Sequence, residues 1–419
     1  MSGQDSSYCG YALPNEAEAL TLRITTESGR IFTATASLDD ATTADKTEVL
    51  TSGKHYKIGV KVGKDKAEIS SVSVTEWADG GTLDGGEAEE CTHENVVNGI
   101  CNNCGLEINS VYDKTTNTYT VYTEAGLQEW YQAAQTDLTT NLTLAADISL
   151  SATTADGTAI TVDENGVPSG SNWTPIGTSN NPFTGTINGG GHTLSGLRIS
   201  STTSYTGFIG YLGTGGAVKN LTLANAVVYS TQYCIGTVVG RNGGSGTVEN
   251  CHVAAGSSVA TLAEESQAGG IVGNNLGLLM GCTHAAAVKG TALVGGIAGA
   301  NGNGGRIIAC ANTGTVDGTF MDIEAVGSTY ACWSTASNDF NNSNYGSRTA
   351  CYIITNNDGS LTISVPAGAT STAPATIADA ITAMNAAIVA YNANEENAVK
   401  CPYTWQLGTD GYPTLVKSE

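Results

Sequence analysis

Between residues 205 and 318 one pattern of apolar and polar positions is written four times. The copies TGFIGYL, IGTVVGRN, GGIVGNN and GGIAGAN are each followed, about ten residues on, by a short apolar run: VKNLTL, VENCHV, LMGCTH and IIACAN. Aligned on Gly210, Gly240, Gly273 and Gly299, they recur at spacings of 30, 33 and 26 residues. A repeat of this length is one small unit that buries its apolar side only by stacking on its neighbours. The runs are rich in Val, Ile and Leu, are broken by Gly and Asn, and lack both Pro and a helical period, so each unit is predicted to be short strands joined by tight turns. Strands stacked about 4.8 Å apart bring equivalent side chains into columns. Leu221, Cys251, Cys282 and Cys310 share one repeat position and predict an inward apolar column. Asn242, Asn275 and Asn301 lie two residues past their anchor glycines and predict a column of amides bonded to one another, with Leu212 as the exception in the first copy. The expected architecture is all-β, a right-handed parallel β-helix.

The flanks read differently. LTLRI, IFTATASL, YKIGVKV and EISSVSV alternate with period two and predict a small antiparallel β unit, with Gly63-Lys64-Asp65 as a hairpin turn. Residues 78–90, ADGGTLDGGEAEE, read as an acidic, Gly-rich linker. Thr123 is placed to cap a helix with Leu127, Trp130 and Tyr131 on one side, followed by the strand LTLAADISL. Near the other end, Thr376 and Asp379 form a capping pair for a helix that carries Ile377, Ile381, Met384, Ile388 and Tyr391 on one face. These helices are expected to cap the coil, whose bare ends would otherwise invite strand pairing. The domains expected are 1–80, a partial antiparallel β domain; 81–108, a linker and Cys/His hairpin; and 109–419, the β-helix with its capping helices.

Composition narrows the partners. With 39 acidic against 17 basic residues the formal charge is -22, which repels nucleic acid and anionic membrane surfaces. Charged residues are only 13% and glycines number 53, so the surface is polar but mostly uncharged. The lysines crowded into residues 54–66 alternate with Tyr56, Ile58, Val60 and Val62 and read as the wet face of one strand. No stretch approaches the ~20 apolar residues of a membrane-spanning helix. The first thirty residues lack a signal-peptide core, and no apolar segment precedes Cys9 to make it a lipoprotein site, so a secreted chain whose leader and anchor lie outside this sequence is expected.

The sharpest chemical motif is CTHENVVNGICNNCG. Cys91, His93, Cys101 and Cys104 have the spacing of a closed tetrahedral zinc shell, structural because no position stays open for substrate. The alternatives are one or two disulfides in an oxidising compartment, or unligated residues. Calcium at Asp- and Asn-bearing turns such as VDENG is a further expectation, without EF-hand spacing. Trp333, Phe340, Tyr345 and Tyr352 sit in an Asn-rich stretch and either stack on sugar rings or pack the last turn. Between residues 205 and 318 the acids Glu249, Glu264, Glu265 and Asp317 do not recur on one face, and no HExxH, serine elbow or phosphate loop is present, so a non-catalytic protein is expected.

Two stretches resemble known families. LTSGKHYKIGVKVGKDKAEISSVSVTEWADGG resembles the closing strands of fimbrillin-like domains of Bacteroidetes, only their final part being matched, which leaves open sheet edges and the option of strand exchange with a partner. SNWTPIGTSNNPFTGTINGGGHTLSGLRI with the Gly-Gly-Ile-x-Gly repeats resembles the GLUG-repeat surface proteins of the same bacteria over about residues 118 to 330, Trp173, Pro175, Ile176, Gly177, Phe183, Gly185, Gly189, Gly191, His192 and Leu197 standing at pattern positions. His192 is expected to be a turn residue packed beside Trp173 or Phe183. The closing PYTWQLGTDGYPTLV resembles the ending of such proteins, a final strand tucked against the body. The resemblances imply cell-surface adhesion with a glycan or extracellular host protein as ligand. The alternatives are a polysaccharide lyase or glycoside hydrolase on the β-helix, and a structural or pilus-associated subunit.

Metal analysis of the purified chain is expected to find about one zinc per molecule, lost with Cys104→Ser; a zinc-free chain with fewer titratable thiols than its 11 cysteines would establish disulfides instead.

Overall fold

In a computed structural model of the chain, residues 19–25, 31–37, 54–62, 66–76, 80–83 and 87–90 are described, then 96–417 except 98, 103–105, 265, 319–327, 337–346 and 367–368; side chains are described from residue 96 on, that of Asn357 excepted. It divides into two compact units, 1–107 and 108–419.

In the first unit Lys54–Val62 pairs antiparallel with Lys66–Glu76, with an irregularity at Gly59/Val60, while the turn expected at Gly63-Lys64-Asp65 lies outside the described residues. Residues 80–90 are not a plain linker. Gly80–Leu83 and Glu87–Glu90 are strands of the same six-stranded sheet, and Glu87–Glu90 inserts between Ile31–Ser37 and Lys66–Glu76. Composition suggested a linker because acids and glycines are poor strand formers. The register sets Glu89 opposite Lys66, an opposite-charge cross-strand position that favours the insertion.

The second unit is a parallel β-solenoid. One turn runs through Val239–Asn242, Thr247–Glu249, His252–Val253, Ser258–Thr261 and Gln267–Gly269, and each strand pairs parallel with its counterparts above and below. Ile209, Val239, Val272 and Ala298 stand in register, which reproduces the 30, 33 and 26 spacings. Both predicted columns form. Asn242 Nδ2 donates to Asn275 Oδ1 at 2.8 Å and Asn275 Nδ2 to Asn301 Oδ1 at 2.9 Å, all three residues fully buried. Leu212 stacks beneath Asn242 as the apolar exception. The inward column of Leu221, Cys251, Cys282 and Cys310 continues through Cys332 and Cys351, each 0% exposed. These cysteines are unpaired, and burial pushes the thiols of Cys251, Cys310 and Cys332 up, so they act as small apolar groups.

A left-handed corner precedes each member of this column: Asn220, Asn250, Gly281, Ala309, Ala331 and Ala350 all have φ between 51° and 65°. Where the corner meets solvent, its asparagines stack, Asn220 Nδ2 on Asn188 Oδ1 at 3.0 Å and Asn250 Nδ2 on Asn220 Oδ1 at 2.9 Å. Where the C-terminal segment covers it, an amide would be buried unpaired, and glycine or alanine takes over. A Cβ at Gly281 would lie 2.7 Å from the Tyr403 ring, so only glycine fits there.

The interior is not uniformly apolar. Along one face Leu194, Leu223 and Val253 give way to His284, Asn312 and Ser334. His284 Nδ1 lies 2.8 Å from Asn312 Oδ1, and Asn312 Nδ2 donates to Ser334 Oγ at 3.0 Å. Across the coil, Gly270 and Gly296 leave room for these side chains; a Cβ would come within 2.5 Å of the imidazole and 2.1 Å of the amide carbon.

Two helices complete the unit. Helix α1, Glu124–Thr136, is capped by Thr123 Oγ1, which accepts from the Gly126 N–H. Its Leu127 and Trp130 join the coil's own core, where Trp130 lies 6.4 Å from Trp173 and 6.3 Å from Phe208. Helix α2, Ile377–Ala393, is capped by Thr376. With the antiparallel hairpin Tyr403–Leu407/Pro413–Lys417 it forms a second core against the outward side chains Leu278, Met280, Ile308 and Trp333. Thus α2 covers the flank of the last turns. Each fully buried Leu, Ile or Met in these cores contributes about 2 kcal/mol.

Asn275→Ala is expected to lower the unfolding free energy by about 3 kcal/mol, because it strips partners from Asn242, Asn301 and Gly277 inside the coil; urea titration measures it. Burial pushes the His284 imidazole down to about 4, against about 6.5 in an unfolded chain. Its contribution is therefore complete above pH 6.5, declines as the pH falls and is lost below 4, a difference of about 3 kcal/mol. In urea titrations at pH 7 and pH 4, His284→Asn should show less acid destabilisation than the wild type by about that amount; equal pH dependence would contradict a buried neutral imidazole.

Candidate functional site

Of the site residues singled out by sequence, Trp333 and Cys101 are described. Trp333 is 3% exposed, lies 5.4 Å from Tyr412 and 6.4 Å from Trp405, and so packs the last turns instead of standing open to a sugar ring. Tyr352 is likewise buried. Phe340 and Tyr345 lie outside the described residues. Of the four cysteine and histidine candidates only Cys101 is described: it ends a short hairpin, Val96–Val97 with Ile100–Cys101, is buried, and donates its N–H to Leu106 O. Cys91, His93 and Cys104 lie outside the described residues. Among the described residues no cluster of three His, Cys, Asp or Glu side chains is placed to hold a metal. At VDENG, Asp163 Oδ1 accepts from the N–H groups of Asn165 and Val167, so it is engaged in making the turn. His192 does stand at a turn, half-exposed and 3.4 Å from Asp147 Oδ1.

What stacking does bring together is an aromatic corner. The loops 202–205 and 231–234 and the segment 262–264 each follow a strand of the column Arg198–Ser201, Val227–Ser230 and Ser258–Thr261. Tyr205 N donates to Tyr233 O, and Ser230 Oγ to Thr203 O, which locks the first two loops together. Tyr205 has φ 65°, a costly conformation for an aromatic residue, and strain of that kind concentrates where a side chain must be presented in one direction. Its ring lies 5.3 Å from that of Tyr211 and 5.9 Å from that of Tyr233, both edge-on. Arg241, one turn above Tyr211, holds its guanidinium 5.6 Å from the Tyr211 ring and 6.0 Å from that of Tyr205, an arrangement that favours the cation. Its Nε is buried with no hydrogen-bond partner among the described residues. Beside it the Gln267 carbonyl accepts from Cys234 Sγ at 3.1 Å and Asn274 Nδ2 at 2.6 Å. Tyr233 and Leu262 are the exposed members, at 47% and 63%.

Rigid rings and one cation on an exposed edge suit recognition of a ring-shaped or extended polar ligand. The sequence signal was present: Tyr211 and Arg241 are one 30-residue repeat apart. It was invisible because an outward position carries no periodic constraint of its own.

The same register sets two carboxylates against cations. Glu249 stacks between Lys219 and Met280, 3.6 Å from the Lys219 ammonium, and accepts from the Tyr403 hydroxyl at 3.1 Å; Asp317 stacks on Lys289. No helix among the described residues is long and apolar enough to cross a membrane.

No family model matches the chain. Over 133 residues it is 35% identical to Halomucin of Haloquadratum walsbyi, a stretch that is 31% of this chain and 1% of that protein. Over 92 residues it is 36% identical to a "Putative Gly-rich membrane protein" of Evansella cellulosilytica, 21% of this chain and 10% of that one. The chain thus spans a small fraction of either relative. Among solved structures, one described as "a putative immunoglobulin A1 protease from Bacteroides ovatus" is 19% identical, with a TM-score of 0.45, covering 72% of this chain and 93% of that chain.

Proposed function

We propose that this is a non-catalytic, extracellular binding protein, whose solenoid displays the Tyr205/Tyr211/Tyr233/Arg241 corner to a glycan or an extracellular host protein. The observation that carries the reading is that corner: three tyrosines held edge-to-face and a guanidinium over two of them, on an exposed edge of a rigid scaffold. The resemblance to GLUG-repeat surface proteins supports it, as does the partial likeness to Halomucin and to a Gly-rich membrane protein. The engagement of Glu249 by Lys219 and the stacking of Asp317 on Lys289 support binding without turnover, because sugar-cleaving sites use two carboxyl groups that face the scissile bond. A structural zinc at Cys91, His93, Cys101 and Cys104 belongs to the same proposal and would stiffen the first unit.

The test is retention on arrays of glycans and matrix proteins, with supernatants assayed for new reducing or unsaturated sugar ends. Saturable retention without products is expected, and Tyr211→Ala or Arg241→Ala should weaken it by about tenfold or more, the usual cost of losing a central aromatic or arginine contact. Release of sugar ends would establish a polysaccharide-cleaving enzyme, and neither retention nor products would leave a structural subunit.

A further inference from the structure

A second feature lies at the start of the coil, apart from the tyrosine corner. A cleft of about 300 Å³ opens between α1, the loop at residues 153–155 and the segment 171–174. Its inner wall is aromatic: Tyr131 lies 4.8 Å from Trp173, tilted by 56°. Trp173 is itself fixed, 3% exposed and donating from Nε1 to Phe208 O at 2.9 Å. The outer walls are stiff too. Thr154 and Thr158 close a turn through a backbone hydrogen bond of 2.8 Å. The Asn172 amide is fully used, donating to Ser151 O and Gly196 O and accepting from Arg198 N.

Against this rigid frame, three polar groups are unspent. Gln128, Gln132 and the Tyr131 hydroxyl line the cleft from α1 and make no hydrogen bond to any described residue. Gln128 and Gln132 are four residues apart and so share one side of the helix. The single ionisable carboxylate in the lining, Glu124, is consumed by Ser151: both its N–H and its hydroxyl donate to Glu124 at 2.7 Å. No basic residue lines the cleft. Its size is at the lower end of small-molecule sites, which begin at about 300 Å³.

We propose that this cleft is a binding site for one uncharged sugar residue, its apolar face on Tyr131 and its hydroxyls bonded to Gln128 and Gln132. An aromatic platform takes the C–H face of a pyranose ring, while amides both donate to and accept from hydroxyl groups. A carboxylated or phosphorylated ligand would find no cation here and would meet Glu124. The site shares its ligand chemistry with the tyrosine corner but not its residues, so the two stand or fall separately.

The test is saturation-transfer NMR on the whole purified chain with D-galactose, D-glucose, D-mannose and N-acetyl-D-glucosamine as neutral probes, and N-acetylneuraminic acid and D-glucuronic acid as charged ones. At least one neutral sugar is expected to saturate, with its ring C–H protons receiving most of the transfer. The double variant Gln128→Ala/Gln132→Ala should weaken it by about tenfold, the order expected for two neutral hydrogen bonds. Ala155→Trp, at the exposed lip, should block it, and Val389→Ala, on the exposed side of α2, should leave it unchanged. Circular dichroism confirms that each variant is folded. Saturation by charged sugars alone, binding unaffected by the double variant and by Ala155→Trp, or no saturation by any neutral probe would each overturn the proposal. Loss with Tyr211→Ala alone would assign the sugar to the corner and overturn it as well.

Discussion

In-register stacking of short parallel strands is the constraint on which the rest depends. Each side chain in the coil has one neighbour above and one below at a spacing of about 4.8 Å, so a residue is acceptable only if it suits its own column. Apolar columns satisfy this without orientation. Polar ones satisfy it only when donor and acceptor alternate along the axis, and the primary amide is the side chain that carries both. This explains why the fully buried polar column is asparagine, with each amide donating upward to the next. It also explains the inner His284, Asn312 and Ser334, which pass a hydrogen bond from turn to turn.

The same constraint shapes the exterior. A corner that must adopt a left-handed backbone carries asparagine while it faces water, and carries glycine or alanine once α2 and the C-terminal hairpin lie over it. For alanine this conformation costs about 1 kcal/mol, offset by apolar contact with the covering segment. Stacking also decides what chemistry the surface can assemble. Glu249 finds Lys219 in its column and Asp317 finds Lys289, whereas Tyr211 finds Arg241. The surface chemistry is thus a consequence of register as much as of composition.

The α1 cleft and the tyrosine corner arise in different ways. The corner is made by repetition, one loop above another. The cleft arises where repetition has not yet begun: between Leu142 and Ile187 the chain takes 45 residues to complete a turn, and the excess forms the loops that wall it. Irregular turns of a solenoid are where loops and side chains are free of column constraints, and so where a closed, ligand-sized shape can be built.

By itself the sequence determined the solenoid, because a column repeats in space only if it repeats along the chain: the glycine anchors, the Leu221 to Cys310 column and the Asn242 to Asn301 amides were all legible as spacings. Both helix caps were legible because Thr123 and Thr376 act within four residues of themselves. Only the tertiary structure decided the rest. Nothing in ADGGTLDGGEAEE announces two strands, since their partners lie elsewhere in the chain. Trp333 read either as packing or as a binding platform until the hairpin carrying Trp405 and Tyr412 covered it. The tyrosine corner and the Gln128/Gln132 cleft join residues with no local relationship, and the physical reason they escaped is general: periodicity reveals what must recur, whereas a binding site is made where the chain departs from it.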